Sequence, residues 1–191
     1  MFSIQNGMQV TLEYTSHLSP DEPLKALFKA LANISSSLTE VVVKFALTYL
    51  HEGHELLANS NLLLAPKLWY CEKVDSINIY VIDPSWCVDA SPHHKCLCDA
   101  VNVLHEANFV FEDLCEPNVL LCDNGAMLID FDWCGKEREA CYPSDILMDS
   151  DMPWHASVQR EGLITKEHDC HLLDKLAGPP EQQGTLLGNV A

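Results

Sequence analysis

The chain has 191 residues, of which 48% are apolar, so it is long and apolar enough to form a packed core and is not a disordered chain. Its 11 basic and 28 acidic residues give a formal net charge of −17, which argues against nucleic acid and anionic membranes as partners, because both attract basic surfaces. Nine cysteines without paired metal-binding spacing, no signal-peptide pattern and no apolar run of about 18 residues predict free thiols in an intracellular, cytoplasmic protein.

Strand patterns come first along the chain. Met8 to Tyr14 alternates apolar and polar residues and predicts a strand, and the turn-rich segment Ser16 to Pro23 follows it. Leu24 to Ala32 is ambiguous, because its alanines and leucines favour a helix while its position favours a second strand. After a loop at Asn33 to Thr39, the β-branched run Glu40 to Phe45 predicts a central strand.

One helix and two further strands are predicted next. Tyr49 to Ala58 has the spacing of a helix with one apolar face. Leu62 to Tyr70 and Ser76 to Ile82 predict two strands around a turn at Cys71 to Lys73. The sheet then has five strands, and we expect it to end at Asp83, which precedes a proline.

A linker at Ser85 to His94 leads to a predicted amphipathic helix, Lys95 to Asn108. Beyond it, the apolar runs Val119 to Leu121 and Ala126 to Ile129 predict two short strands. The four residues between them, Cys122 to Gly125, contain Asn-Gly, which favours a hairpin turn because both residues accept a positive φ.

This hairpin is expected to gather three oxygen-bearing side chains. Asn118 precedes the first strand and Asp130 follows the second, so closing the hairpin places them side by side. Asp113 lies on the loop that enters the hairpin. A carboxylate and an amide suit Mg²⁺, which prefers oxygen ligands and keeps substrate phosphates in its shell, while the second carboxylate is free to orient a hydroxyl nucleophile. A surface hairpin with solvated side chains is the alternative.

The last part of the chain is less regular. Residues from Gly135 to Gly162 lack periodicity, Thr165 to Leu176 predicts a helix with threonine as a plausible N-cap, and residues 178 to 191 are expected to be a frayed tail.

These motifs resemble the catalytic core of protein kinases. The run Phe111 to Asn118, F-E-D-L-C-E-P-N, is similar to H-R-D-L-x-x-x-N, Asp130 to Asp132 is similar to D-F-G, and Val41 to Lys44 is similar to V-A-I-K. The segments that resemble the fungal group of protein-kinase-like domains are Val41 to Phe45, Glu52 to His54, Leu104 to Ala107, Asp113 to Asn118, Leu128 to Trp133 and Lys166 to Asp169.

The resemblance implies an α+β, two-lobed protein-kinase-like fold. Residues 1–83 would form an N-lobe with a small antiparallel β-sheet and one helix. Residues 84–177 would form a reduced, mainly helical C-lobe with the catalytic loop, and residues 178–191 a flexible tail.

The resemblance also implies the roles of individual residues. Lys44 would hold the phosphates of ATP, and Glu52, with Glu55 as the alternative, would pair with Lys44. Asp113 would be the catalytic base, and Asn118 and Asp130 would hold Mg²⁺. The segment from Tyr80 through Ile82 to Asp83 would be the hinge between the lobes, and its backbone groups would hold adenine. Asp169 would brace the catalytic loop, although a solvated helix aspartate fits its position equally well.

Four departures from the kinase pattern stand out. Ser16 to Pro23 holds no glycine to cradle phosphates, Glu112 replaces an arginine, Asp132 replaces a glycine, and the chain after Leu176 is too short for a full C-lobe. The leading expectation is an ATP- and Mg²⁺-dependent phosphotransferase acting on a protein or small-molecule hydroxyl. The alternatives are a pseudokinase that serves as a binding or scaffold module, and an acidic metal-binding domain without nucleotide.

Overall fold

A computed structural model describes residues 2–3, 9–21, 26–34, 37–74, 77–82, 94–122, 125–149 and 153–176. An antiparallel sheet forms the N-terminal part of the molecule. Its strands lie in the order β1-β2-β3-β4-β6-β5. The bounds are β1 Phe2–Ser3, β2 Gln9–His17, β3 Ala26–Ile34, β4 Ser37–Ala46, β5 Leu68–Val74 and β6 Ile77–Ile82. The two-residue β1 makes the sheet one strand larger than the five expected.

Tertiary pairing decides the conformation of the segment whose sequence is ambiguous. Residues of Ala26–Ile34 form β3, which pairs with β2 on one side and with β4 on the other. The backbone hydrogen bonds of two neighbouring strands therefore override the helix preference of its alanines and leucines.

The strand expected at Leu62 to Tyr70 was wrong in its bounds. Leu64 instead donates its N–H to Leu57 O at 3.2 Å and accepts from Leu128 N at 2.9 Å, so it ties the first helix to the Asn-Gly hairpin. The strand begins at Leu68 and continues through Cys71 to Lys73, which were expected to turn but pair with β6.

Three helices and two small antiparallel pairs complete the described structure. The helices are α1 His51–Ala58, α2 His94–Glu106 and α3 Lys166–Leu176. The pairs join β7 Phe109–Val110 to β10 Gly135–Lys136 and β8 Val119–Cys122 to β9 Gly125–Leu128. The β8–β9 hairpin forms as expected, with Val119 opposite Leu128 and Cys122 opposite Gly125. Its bounds differ from those expected, because Cys122 and Gly125 belong to the strands and Ile129 lies beyond β9.

The largest core cluster lies where the helices meet the hairpin. Leu57 of α1, Leu104 of α2, Leu128 of β9 and Leu172 of α3 are buried together with Phe131. Burial of each such side chain contributes about 1.5–3 kcal/mol, so the hairpin is held by the helices that surround it.

The sheet has its own smaller cluster, and the segment before α3 has a third. The sheet cluster contains the buried residues Val10, Ala30, Ala32, Val41, Val43 and Val81. The third contains Val110, Tyr142, Ile146, Val158 and Ile164. This third cluster packs the irregular segment after β10 against β7, the strand that leads into the Asp113 loop.

The architecture is thus α+β, with a small antiparallel sheet and α1 ahead of a reduced part that carries α2, α3 and the hairpin. The expected lobe boundary after residue 83 and the expected tail from residue 178 lie outside the described residues. In the part of the chain that the structure describes, no helix is both long and apolar enough to cross a bilayer.

Candidate active site

A cleft of about 480 Å³ lies between the sheet and the β8–β9 hairpin. Its lining brings together Lys44, Ile82 and Asp130, three residues that the sequence assigned to one site. The apolar part of the lining consists of Leu18, Ala26, Leu27, Val42, Phe45, Ala46, Leu47, Pro66, Ile82, Leu120, Ile129 and Trp133. Lys44 contacts both Asp130 and Asp132, so the charge of the lining is concentrated in one place, and the rest of the lining is apolar apart from Thr48.

Lys44 reaches across the cleft from the sheet. It lies in β4 between Leu27 of β3 and Tyr80 of β6, and its side chain is only 15% exposed. Its ammonium donates to Asp130 Oδ1 at 2.6 Å, which joins two residues 86 positions apart. The same Nζ lies 2.7 Å from Asp132 Oδ1, in an ion pair without the alignment of a hydrogen bond. Burial raises the pKa of Asp132 to about 6, against the opposing effect of Lys44.

The expected pair between Lys44 and Glu52 is not formed. Glu52 lies in the first turn of α1, where its side chain is 56% exposed and its carboxylate is 3.1 Å from His51 Nδ1. Glu55, the alternative partner, is half-buried and makes no ion pair with Lys44 either. The reason is the orientation of α1, which packs its Gly53, His54 and Leu57 inward and leaves Glu52 at the surface.

The loop from Phe111 to Asn118, which the resemblance marks as the catalytic loop, holds Asp113 and Asn118 in contact. Asn118 is buried, and its Nδ2 donates to Asp113 Oδ2 at 2.8 Å and to Asp113 O at 2.9 Å. A short 3₁₀ turn, Glu116–Asn118, precedes β8 and presents the amide. Ile129 N donates to Asn118 O at 3.0 Å, so Asn118 lies beside the residue that precedes Asp130, at the open end of the hairpin.

An aromatic stack holds the segment that contains Asp130. The Phe131 ring is buried and lies parallel to the His54 ring at 4.7 Å and edge-on to Phe111 at 5.3 Å. Tyr49 continues the stack to Tyr80, with a ring separation of 3.6 Å. The backbone is fixed too, because Leu50 N donates to Phe131 O at 3.2 Å. Both aspartates that flank Phe131 are therefore positioned by a buried anchor.

His54 is a neutral member of this stack. Burial lowers its pKa to about 4. Its Nε2 donates to Pro66 O at 2.7 Å, so its Nδ1 must accept, and the hydroxyl of Tyr49 donates to it. The ring thus connects α1 to the segment before β5 without bringing a charge near Lys44.

Asp169 braces the loop that carries Asp113. Of the two interpretations that its sequence position allowed, the structure confirms the brace and not a solvated helix aspartate. Its side chain is fully buried and accepts from Phe111 N at 2.9 Å, from Glu112 N at 2.7 Å and from His105 Nε2 at 2.8 Å. Bonds from backbone N–H groups to a carboxylate are stronger than neutral ones, so α3 and α2 together fix the backbone just before Asp113.

Glu112, which replaces an arginine of the kinase pattern, is a buried carboxyl group. Its residue is fully buried, its φ is +82°, and neither carboxyl oxygen has a well-aligned partner among the described residues. Burial raises its pKa to about 9, against the opposing effect of the nearby Tyr142 hydroxyl, so the group is neutral at pH 7.

Both described residues that were expected to hold adenine through their backbone, Tyr80 and Ile82, lie within β6. Tyr80 is buried between β4 and β5, where its backbone groups belong to the sheet, so they are not available to a base. Ile82 ends the strand and lines the cleft, but it likewise pairs with Val42 of β4 and with Leu68 of β5. Asp83, the third residue of this expectation, lies outside the described residues.

Sequence reasoning missed two features of the site. The first is the contact of Asp132 with Lys44, since the sequence marked Asp132 only as a departure from glycine. Its position two residues after Asp130 was the signal that both carboxylates could face one cation. Leu18, Ala26 and Leu27 cover the cleft where a glycine-rich loop was absent, and no pattern in the sequence marked them.

We expect Asp169→Ala to lower the free energy of unfolding by about 3 kcal/mol, because it leaves the buried N–H groups of Phe111 and Glu112 without an acceptor, at about 1–3 kcal/mol each. Urea unfolding measures this. The control is Asp174→Ala on the exposed face of α3, for which we expect a change within about 0.5 kcal/mol. Equal effects of the two variants would contradict the brace.

Glu112→Gln tests the neutral buried carboxyl through pH. In the wild type the folded pKa of about 9 exceeds the unfolded value, so stability is lost as the pH rises from about 4.5 toward 9. The variant has no carboxyl group at this position, so its stability does not fall with pH in this way. The free energy of unfolding of the variant minus that of the wild type should therefore increase by about 1 kcal/mol per pH unit in that range. Urea unfolding at pH 5.5 and 7.5 measures the growth. A difference that does not change with pH, as expected for the exposed control Glu139→Gln, is the contrary result.

Comparison with known proteins identifies the fold. No model of a known protein family and no curated protein sequence matches the chain. Among solved structures, the chain is similar to the Cydia pomonella granulovirus kinase PK-1, with a TM-score of 0.58 and 15% sequence identity. The similarity covers 85% of this chain and 67% of that kinase. This chain therefore has the α+β, protein-kinase-like fold that its motifs led us to expect.

Proposed function

We propose that this protein is an ATP- and Mg²⁺-dependent phosphotransferase of the protein-kinase-like type, which transfers a γ-phosphate to a hydroxyl acceptor. One observation carries the proposal. Lys44 from the sheet and Asp130 from the hairpin meet at 2.6 Å on the wall of a cleft of about 480 Å³. A nucleoside triphosphate requires a cation for its phosphates, a carboxylate for the accompanying metal ion and an apolar pocket for its base, and this cleft offers all three.

The cleft is suited to a nucleotide in size and polarity. Its volume lies within the range of about 300–1,000 Å³ that ligand pockets usually have. Val42, Ile82 and Leu120 offer apolar contacts for a base, and the charged residues lie together, where the phosphates would be held. The base would meet the chain at the end of β6, which is where we place the hinge.

The residues present also fit Mg²⁺. Two carboxylates already converge on one cation, the ammonium of Lys44, so this end of the cleft favours positive charge. Asn118 turns its amide nitrogen toward Asp113, which leaves its amide oxygen directed elsewhere. Among the described residues no three His, Cys, Asp or Glu side chains could hold a metal alone. Mg²⁺ is usually bound by one or two protein groups plus substrate phosphates. Asp130 and Asn118 would hold it, and it would neutralise charge on the transferred group.

Asp113 has the surroundings of a base that orients a hydroxyl. Its Oδ2 accepts from Asn118, and its backbone is fixed by the bonds from Asp169 to the two preceding residues. It also lines a second cavity of about 510 Å³, formed with Trp154 and Leu172. We assign this cavity to the acceptor, because Asp113 would take the proton of a hydroxyl held there.

A nucleotide-binding module without turnover is the second candidate. It is favoured by the exposed position of Glu52 and by the apolar residues Leu18, Ala26 and Leu27 that cover the cleft. Backbone N–H groups of a glycine-rich loop are absent from the described part of the β2–β3 turn, so phosphate binding would rest mainly on side chains. Membership of the fungal group and the division into lobes at residue 83 remain predictions.

Turnover of ATP tests the proposal. We expect the wild type to form ADP in the presence of Mg²⁺ and a mixture of protein and small-molecule hydroxyl acceptors, measured in a coupled assay. Asp113→Asn should lower kcat by about 10²–10⁴ with little change in the KM for ATP, because it removes the base but not the nucleotide site. The exposed Asp145→Asn is the matched control and should leave kcat unchanged.

The outcomes separate the candidates. Wild-type protein that neither binds ATP with Mg²⁺ nor forms ADP refutes the phosphotransferase and the module together. Binding without ADP formation favours the module, and unchanged turnover in Asp113→Asn refutes the assignment of the base.

A further inference from the structure

We propose that Asp132 is the positioning residue of this site, which orients the ammonium of Lys44 toward the nucleotide phosphates in place of a glutamate from α1. The inference rests on the proposed function, since it concerns how the same cleft holds a triphosphate. Asp132 is not expected to touch the nucleotide and acts through Lys44.

The contact itself is the first step. Asp132 Oδ1 lies 2.7 Å from Lys44 Nζ, and the two side chains are 29% and 15% exposed. An ion pair that is largely shielded from water is screened much less than a surface pair, so it restricts the ammonium more strongly. Lys44 has four rotatable side-chain bonds, and without a partner its ammonium would sample many positions.

The second step is that Asp130 cannot serve as the lasting partner of Lys44. Asp130 also pairs with Lys44, at 2.6 Å, but it is the carboxylate assigned to Mg²⁺. A divalent cation competes with the ammonium for that carboxylate. With Asp130 engaged by metal, the remaining carboxylate beside Lys44 is Asp132.

The third step is that α1 supplies no alternative. Glu52 is 56% exposed and faces His51. For Glu52 to reach Lys44, α1 would have to rotate, and Gly53, His54 and Leu57 would leave their packed positions. Moreover, a β-carbon on Gly53 would already lie 3.0 Å from Leu50 Cδ2 and 3.2 Å from Cys134 Sγ, so this side of α1 fits closely against its surroundings.

The fourth step is the rigidity of the backbone that carries Asp132. Phe131 is fully buried against His54 and Phe111, and its carbonyl accepts from Leu50 N. Asp130 and Asp132 therefore flank one fixed residue. Glycine at position 132 would keep the metal-binding carboxylate but would offer Lys44 no second partner.

Nucleotide affinity distinguishes a positioning role from a structural one. We compare Asp132→Asn, Asp132→Glu and Glu52→Gln with the wild type by isothermal titration, using ATP with Mg²⁺ and, separately, adenosine. Asp132→Asn should weaken binding of ATP with Mg²⁺ by about 10-fold or more, because the ammonium loses a charged partner. It should leave adenosine binding within about twofold, because adenosine has no phosphate for Lys44 to hold.

The other variants set the limits. Asp132→Glu keeps the charge and should recover part of the loss, and Glu52→Gln should change neither affinity by more than about twofold. A loss with Glu52→Gln and none with Asp132→Asn overturns the inference in favour of the α1 glutamate. Loss of adenosine and ATP binding together in Asp132→Asn also overturns it, since that is the mark of a structural defect. Wild-type protein that binds no ATP overturns the proposed function itself, and the inference with it.

Discussion

The structure of this site depends on an ion cluster that links two separate parts of the chain. One ammonium from β4 meets two carboxylates that flank Phe131, and all three side chains are partly shielded from water. Removing Lys44 would leave two partly buried carboxylates side by side without a cation, which is costly in a protein interior. The sheet and the hairpin therefore have to meet with Lys44 facing this segment, and the cleft is the space left beside the contact.

The catalytic loop is held in an uncommon backbone conformation by groups outside it. Glu112 has a φ of +82° and Asp130 a φ of +67°, a region that side chains other than glycine seldom adopt. Such residues persist only where their surroundings fix them. The Asp169 carboxylate accepts from the backbone N–H of Glu112 and so fixes that residue. The aromatic stack holds Phe131, the residue that follows Asp130. The residue before the proposed base and the proposed metal ligand itself thus have strained backbone with rigid support.

Local patterns predicted those parts of the site that depend on short stretches of sequence. The β8–β9 hairpin follows from two apolar runs around Asn-Gly, and its closure alone brings Asn118 beside the residue preceding Asp130. Lys44 could be assigned because it is the polar residue of an apolar strand. The brace at Asp169 could be named as one of two possibilities, and its burial decides between them.

Features that depend on the placement of whole elements could not be predicted in the same way. The partner of Lys44 is set by how α1 is turned, and helical spacing does not fix that rotation; Glu52 was therefore the wrong partner. The limits of β5 are set by hydrogen bonds of Leu64 to α1 and β9, which are distant contacts. Ala26–Ile34 forms a strand because two neighbours pair with it, in spite of residues that favour a helix.

The most direct test of the account is whether Lys44 senses a nucleotide. Nuclear magnetic resonance of protein labelled with ¹³C at lysine Cε, with Lys44→Arg to assign the signal, reports on this one side chain. The account predicts that the Lys44 resonance shifts on addition of a non-hydrolysable ATP analogue with Mg²⁺, and shifts less with Mg²⁺ alone. A Lys44 signal that does not change at millimolar analogue and Mg²⁺ would contradict a nucleotide site in this cleft.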